Sequence, residues 1–181
     1  MTKYYLLSLP VMAFPYLMIA GLGCMYSNTI MESVFFSNGF LLLGALALCA
    51  VVCALFAIGV GTGLAAGGQS GACAAKLCMI VKLVQIPAYI AIFVLGVTFS
   101  ITIFGVAFVV LFVLIDCAAI AMSGFMSACT LFKCCRQKLL PLGSAVAFGI
   151  GQFVFCADVV LAVIIYVNLK KEIRKNVCEA V

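Results

Sequence analysis

The chain has 181 residues, 68% of them hydrophobic and only 8% charged, with a formal net charge of +5, no histidine and a mean hydropathy of +1.40. A water-soluble domain carries roughly 25% charged and 45–50% apolar residues, so this composition excludes an aqueous surface. It gives no sign of nucleic-acid binding either, because the ten basic residues fall in short clusters beside apolar runs, as juxtamembrane residues do.

The apolar runs are longer than the roughly 20 residues needed to cross a bilayer core. They are continuous, as in "LLLGALALCAVVCALFAIGV", without the apolar–polar alternation of a membrane β-barrel strand. The expected fold is therefore all-α: a polytopic transmembrane helical bundle of about five membrane segments forming one domain, residues 1–181.

The first segment spans Tyr4–Met25 and contains Pro10 and Pro15, each of which removes a backbone donor and kinks a helix. It exceeds the 7–15 residues of a signal-peptide core. "GLGC" has Gly21 where a lipoprotein box places leucine, so a membrane helix is expected. A polar connection with Glu32 leads to the second segment, Gly39–Ala66, whose 28 residues would reach about 42 Å.

The stretch "GGQSGACAAKLCMIVK" reads as a connection, with Lys76 and Lys82 at the membrane edge. About fifty residues follow with Asp116 as the only charge, enough for two crossings, Leu83–Phe99 and Val106–Phe132, turning near Ser100–Gly105. A basic loop, "KCCRQKLLP", precedes the fifth segment, Leu142–Leu169, and the chain ends in the basic "KKEIRKNVCEAV".

Five crossings place the termini on opposite sides. With the amino terminus inside, Lys3, Lys76, Lys82, Lys133, Arg136 and Lys138 lie inside, but Lys170, Lys171, Arg174 and Lys175 lie outside, against the positive-inside rule. The reverse orientation is worse by count. A re-entrant last segment, broken at "GIGQ" (Gly149–Gln152), would bring both clusters to one side.

Two features suggest helix contacts. Glycines at 59, 63, 67 and 71 share one helical face. Gly59 and Gly63 are expected to pack helices closely, as small residues do in lipid, and Gly67 onward reads as a turn. Gly143, Ala147 and Gly151 offer the last segment a similar seam. The cysteines within apolar segments, among them Cys117 and Cys156 beside the acids, read as small apolar residues. Neither CxxC pairs nor histidine support a metal site.

The sharpest lead is a pair of intramembrane acids, Asp116 and Asp158, with Gln152 nearby. Such residues are costly in lipid and mark interior sites. If the last two segments are antiparallel, both acids lie about 15 Å from the same face. With no cation expected at that level, they would share a proton.

The stretches "KLVQIPAYIAIFVLG", "LFVLIDC" and "FCADVVLAVIIY" resemble an uncharacterised group of small multi-spanning membrane proteins of Gram-positive bacteria. The resemblance implies a bacterial cytoplasmic membrane and no activity.

The expected function is that of a non-enzymatic integral membrane protein acting through helix–helix contacts as an accessory or assembly subunit. The alternative is a small transporter or channel subunit using the buried acids as a protonatable pair. No catalytic constellation stands out, and no cofactor is expected. The expected partners are the lipid bilayer and membrane helices of another protein or of a second copy.

Overall fold

A computed structural model describes residues 2–102, 105–153 and 157–179, with the side chains of 173 and 175–179 left aside. Lipid offers no hydrogen bonds, so each apolar run must satisfy its backbone internally, and each does so as helix. In chain order the helices are α1 (Thr2–Gly23), α2 (Asn28–Phe35), α3 (Gly39–Ala66), α4 (Gly71–Ser100), α5 (Val106–Arg136), α6 (Leu142–Gly151) and α7 (Ala157–Glu179). No strand occurs among the described residues. Four helices, α1, α3, α4 and α5, are long and apolar enough to cross a membrane.

Local chemistry sets several boundaries. The Asn38 side chain accepts from the Phe40 N–H at 3.0 Å and starts α3. The Ser70 hydroxyl accepts from the Cys73 N–H at 3.4 Å and starts α4. That cap lies thirteen residues upstream of the expected segment start, so the connection shrinks to the glycine-rich turn at 67–70. Lys76 and Lys82 therefore belong to a helix.

The long helices alternate in direction. Tyr4 at the start of α1 hydrogen-bonds the Gly63 carbonyl at the end of α3, at 3.2 Å. Gly21 near the end of α1 meets Leu46 near the start of α3. On α4 and α5, Phe99 stacks on Phe108 at one end, and Cys78 meets Thr130 towards the other. The core joins α1, α3, α4 and α5 through Phe14, Leu64, Leu77, Ala119 and Met126.

The fifth apolar run is not one helix. Gly149 of α6 lies against Leu131, and Phe153 just beyond it lies against Gly124, so α6 runs back along the second half of α5. Helix α7 then reverses. Asp158 at its start meets Lys82, whereas Leu169 packs with Ala75 and Cys134 near the starting end of α4. Together α6 and α7 form a helical hairpin, and the helix ends at Gly151 within the "GIGQ" stretch. Cys156 lies outside the described residues.

This reversal resolves the charge conflict. The start of α1, the end of α3, the start of α4, the end of α5 and the end of α7 share one end of the bundle. All ten basic residues lie in that half. The opposite end carries Glu32 of α2 as its single charge. Reporter fusions at the two termini should therefore report the same side of the membrane. Opposite sides would restore a fifth crossing.

Candidate functional site

The interior of the bundle is polar along one line. Cys78, Lys82, Gln85 and Tyr89 fall at offsets of four, seven and eleven residues, a single face of α4, and all are buried. Ser123, Ser127 and Thr130 of α5 are buried as well. Thr130 and Cys78 are 3.3 Å apart, and Ser127 and Thr130 line one cavity with Cys78.

The centre of the line is an ion pair. Lys82 Nζ donates to Asp158 Oδ2 at 3.0 Å, with the two side chains 0% and 2% exposed. Either charge alone would be expensive to hold in this environment, and each removes most of the other's cost. The expectation that no cation lies at the depth of the acids is therefore wrong. It rested on placing Lys82 in a loop, whereas α4 carries Lys82 three turns into the bundle.

The two acids consequently have different surroundings. Asp158 is committed to Lys82, while Asp116 is half-buried and its Oδ1 has no hydrogen-bond partner. Tyr89 and Asp158 line one groove, and Asp116 is not among its lining residues. A pair sharing a proton is replaced by a salt bridge and a separate carboxyl.

Around this centre α4 repairs a proline defect of α1. Pro15 has no N–H, so the Val11 carbonyl four residues before it loses its helical donor. Gln85 Nε2 supplies that bond at 2.8 Å. The Tyr16 hydroxyl of α1 also donates to the Val84 carbonyl of α4, a second bond between the same two helices. The Tyr89 hydroxyl donates to Gln85 Oε1 at 3.1 Å and fixes the amide's orientation.

Gln152, at the end of α6, is fully buried. Neither its Nε2 nor its Oε1 has a protein partner, and the same is true of Ser127 Oγ. Both residues line a cavity of about 10 Å³ together with Cys78 and Thr130. Such a space is polar enough and just roomy enough for one water. A larger groove of about 460 Å³ has Asp158 and Tyr89 in its wall, and the exposed Ile90, Phe93 and Val160 open it towards lipid.

The glycine expectations divide. At Gly63 a Cβ would come within 2.9 Å of the Tyr4 ring, so α1 and α3 approach through a bare backbone there. Gly151 lies directly against Leu161 of α7. Gly59 and Gly143 have nothing within 4 Å of a would-be Cβ, and Ala147 is exposed, so none of these three forms a contact inside the bundle. α3 also meets α5 through a bare backbone at Gly61, beside Phe125 and Cys129, which the four-residue ladder missed.

Lys133 was also misplaced by the loop reading. It is 3% exposed in the last turn of α5, and its Nζ donates to the Leu64 and Gly67 carbonyls, both at 2.8 Å. It thus caps the carbonyl end of α3 with a positive charge. Gln137 holds the following turn by accepting from the Gly71 N–H at 2.8 Å.

Four membrane-length helices around a buried polar line, with a helical hairpin packed against it, define a helical-bundle membrane protein. No family model, curated protein or solved structure matches the chain.

Breaking the pair from one side should be worse than removing it. Lys82→Met or Asp158→Asn should each destabilise the fold by about 3–5 kcal/mol, and Lys82→Met with Asp158→Leu should recover most of that loss. Unfolding in mixed micelles would measure all three. Gln85→Leu leaves the Val11 carbonyl unpaired and should cost about 1–3 kcal/mol in the same assay.

Proposed function

We propose that this chain is a small, non-enzymatic transport subunit in which the Lys82–Asp158 pair and Asp116 handle a proton or a small cation. A salt bridge alone could serve as a fastener for the hairpin. The observation that carries the reading further is the buried, unpartnered carboxyl oxygen of Asp116, within a membrane-length helix. A buried polar atom without a partner costs stability and calls for an explanation. Paired charges in a broken-helix hairpin at mid-bundle are also the kind of element that transport proteins use to bind ions.

The reading includes a side. The basic half of the bundle faces the cytoplasm of a cell membrane, in accord with the positive-inside rule. The line of polar residues then rises from that side through Cys78 and Lys82 to Tyr89. Beyond it, on the far side, the Phe99, Phe108 and Phe112 rings pack together.

The accessory-subunit reading has one observation in its favour. The outer face of α3 is apolar and exposed at Leu48, Val52 and Leu55, and Gly44 and Gly59 on the same helix have open space beside them. That face suits a second membrane helix as well as lipid.

Proteoliposomes separate the two readings. Under an imposed pH or cation gradient, the wild-type chain should carry flux above that of empty vesicles. Asp116→Asn should cut it at least about tenfold with assembly unchanged, a loss equivalent to removing about 1.4 kcal/mol of barrier lowering. Absence of wild-type flux, together with altered complex size in the Asp116→Asn chain, whose salt bridge is intact, would favour the accessory role.

A further inference from the structure

The basic end contains a cleft that the charged centre does not use. It has a volume of about 450 Å³ and lies between the turn after α5, the start of α6 and the end of α7. Its polar lining comprises Lys138, Lys171, Ser144, Asn168 and Glu172. Its apolar wall is formed by Leu140 and Phe148.

Three observations bear on what fits there. First, the cleft lies where the lipid-facing surface ends: Phe132 and Leu142, 61% and 72% exposed, flank the chain segment that forms it. Second, the lysines are free for a ligand in a way that Lys82 and Lys133 are not, since both are exposed while the other two are buried against partners. Third, Lys138 stands at φ 56°, in the left-handed region that glycine or asparagine adopts with less strain. That conformation is the left-handed cap that ends α5, with the Leu139 N–H bonded to the Cys134 carbonyl at 3.0 Å, and it fixes the place of Lys138 in the cleft wall.

We infer that this cleft binds the phosphate of a membrane phospholipid. Lys138 and Lys171 receive the phosphate oxygens, Ser144 and Asn168 donate hydrogen bonds, and Leu140 and Phe148 cover the glycerol and the first methylenes of an acyl chain. Glu172 repels a second negative charge, which favours a phosphodiester over a phosphomonoester. The site is independent of the transport reading, because it shares no residue with the charged centre.

The test uses the full chain in detergent, with native mass spectrometry after addition of phosphatidylglycerol, diacylglycerol or inorganic phosphate. Phosphatidylglycerol should remain bound. A Lys138→Asn, Lys171→Gln variant should bind it about twenty-five-fold more weakly, at roughly fivefold per basic contact. Lys138→Asn keeps a residue suited to the left-handed turn, and Lys171→Gln alone provides a second variant with the turn untouched. The charge-matched control, Lys76→Gln with Lys170→Gln, removes two exposed lysines from the same half of the bundle and should stay near wild type. Equal loss in the control would overturn the proposal in favour of a diffuse basic surface. Binding of inorganic phosphate as tightly as the lipid would make it a soluble-anion site, and equal binding of diacylglycerol would make it an apolar groove. Either result would also overturn it.

Discussion

A lysine and a carboxylate, 3.0 Å apart and sealed from solvent, hold α7 against α4 in the middle of the bundle. Neither charge is tolerable there alone, so the helices carrying them have little freedom to separate or slide. The hairpin's depth follows from this constraint. Helix α6 must run inward far enough to deliver Asp158 to Lys82, and α7 must then return towards the end from which α6 came. The common side of the basic residues follows from the same reversal.

A second constraint is the backbone's need for partners in lipid. Pro15 deprives Val11 of its donor, and the bundle answers with Gln85. The carbonyl end of α3 is answered with Lys133. These side chains look like isolated polar intrusions in an apolar sequence, yet each is matched to a specific backbone vacancy created elsewhere in the chain. Asp116 Oδ1 and the Gln152 amide have no such match, and this separates them from the structural polar groups.

Packing between the helices relies on individual glycines instead of a long seam. Gly63 admits Tyr4, Gly61 admits Phe125 and Gly151 admits Leu161, each on a different pair of elements. A repeat of four residues in sequence does not reveal this, because the direction in which a helical face points is decided by its neighbours. Gly59 belongs to the same ladder and yet faces outward.

Composition and run length alone determined the class and the helical content, because a chain so apolar can satisfy its backbone in lipid only as helix or closed barrel, and the runs lack a barrel's alternation. They also singled out Asp116, Asp158 and Gln152, since polar groups in apolar runs stand out without any structure. The partner of Asp158 was not legible in this way. Lys82 sits near a glycine-rich turn, and hydropathy places a charged residue at a membrane edge unless something distant pairs with it. The offsets of Lys82, Gln85 and Tyr89 along one helical face carried a signal of burial, but only if the helix was extended back to Ser70. Tertiary structure decided that extension, the reversal of the last segment and the pairing of residues 76 positions apart. The physical reason is common to all three: a buried charge is settled by the nearest opposite charge in space, and one-dimensional sequence does not measure that distance.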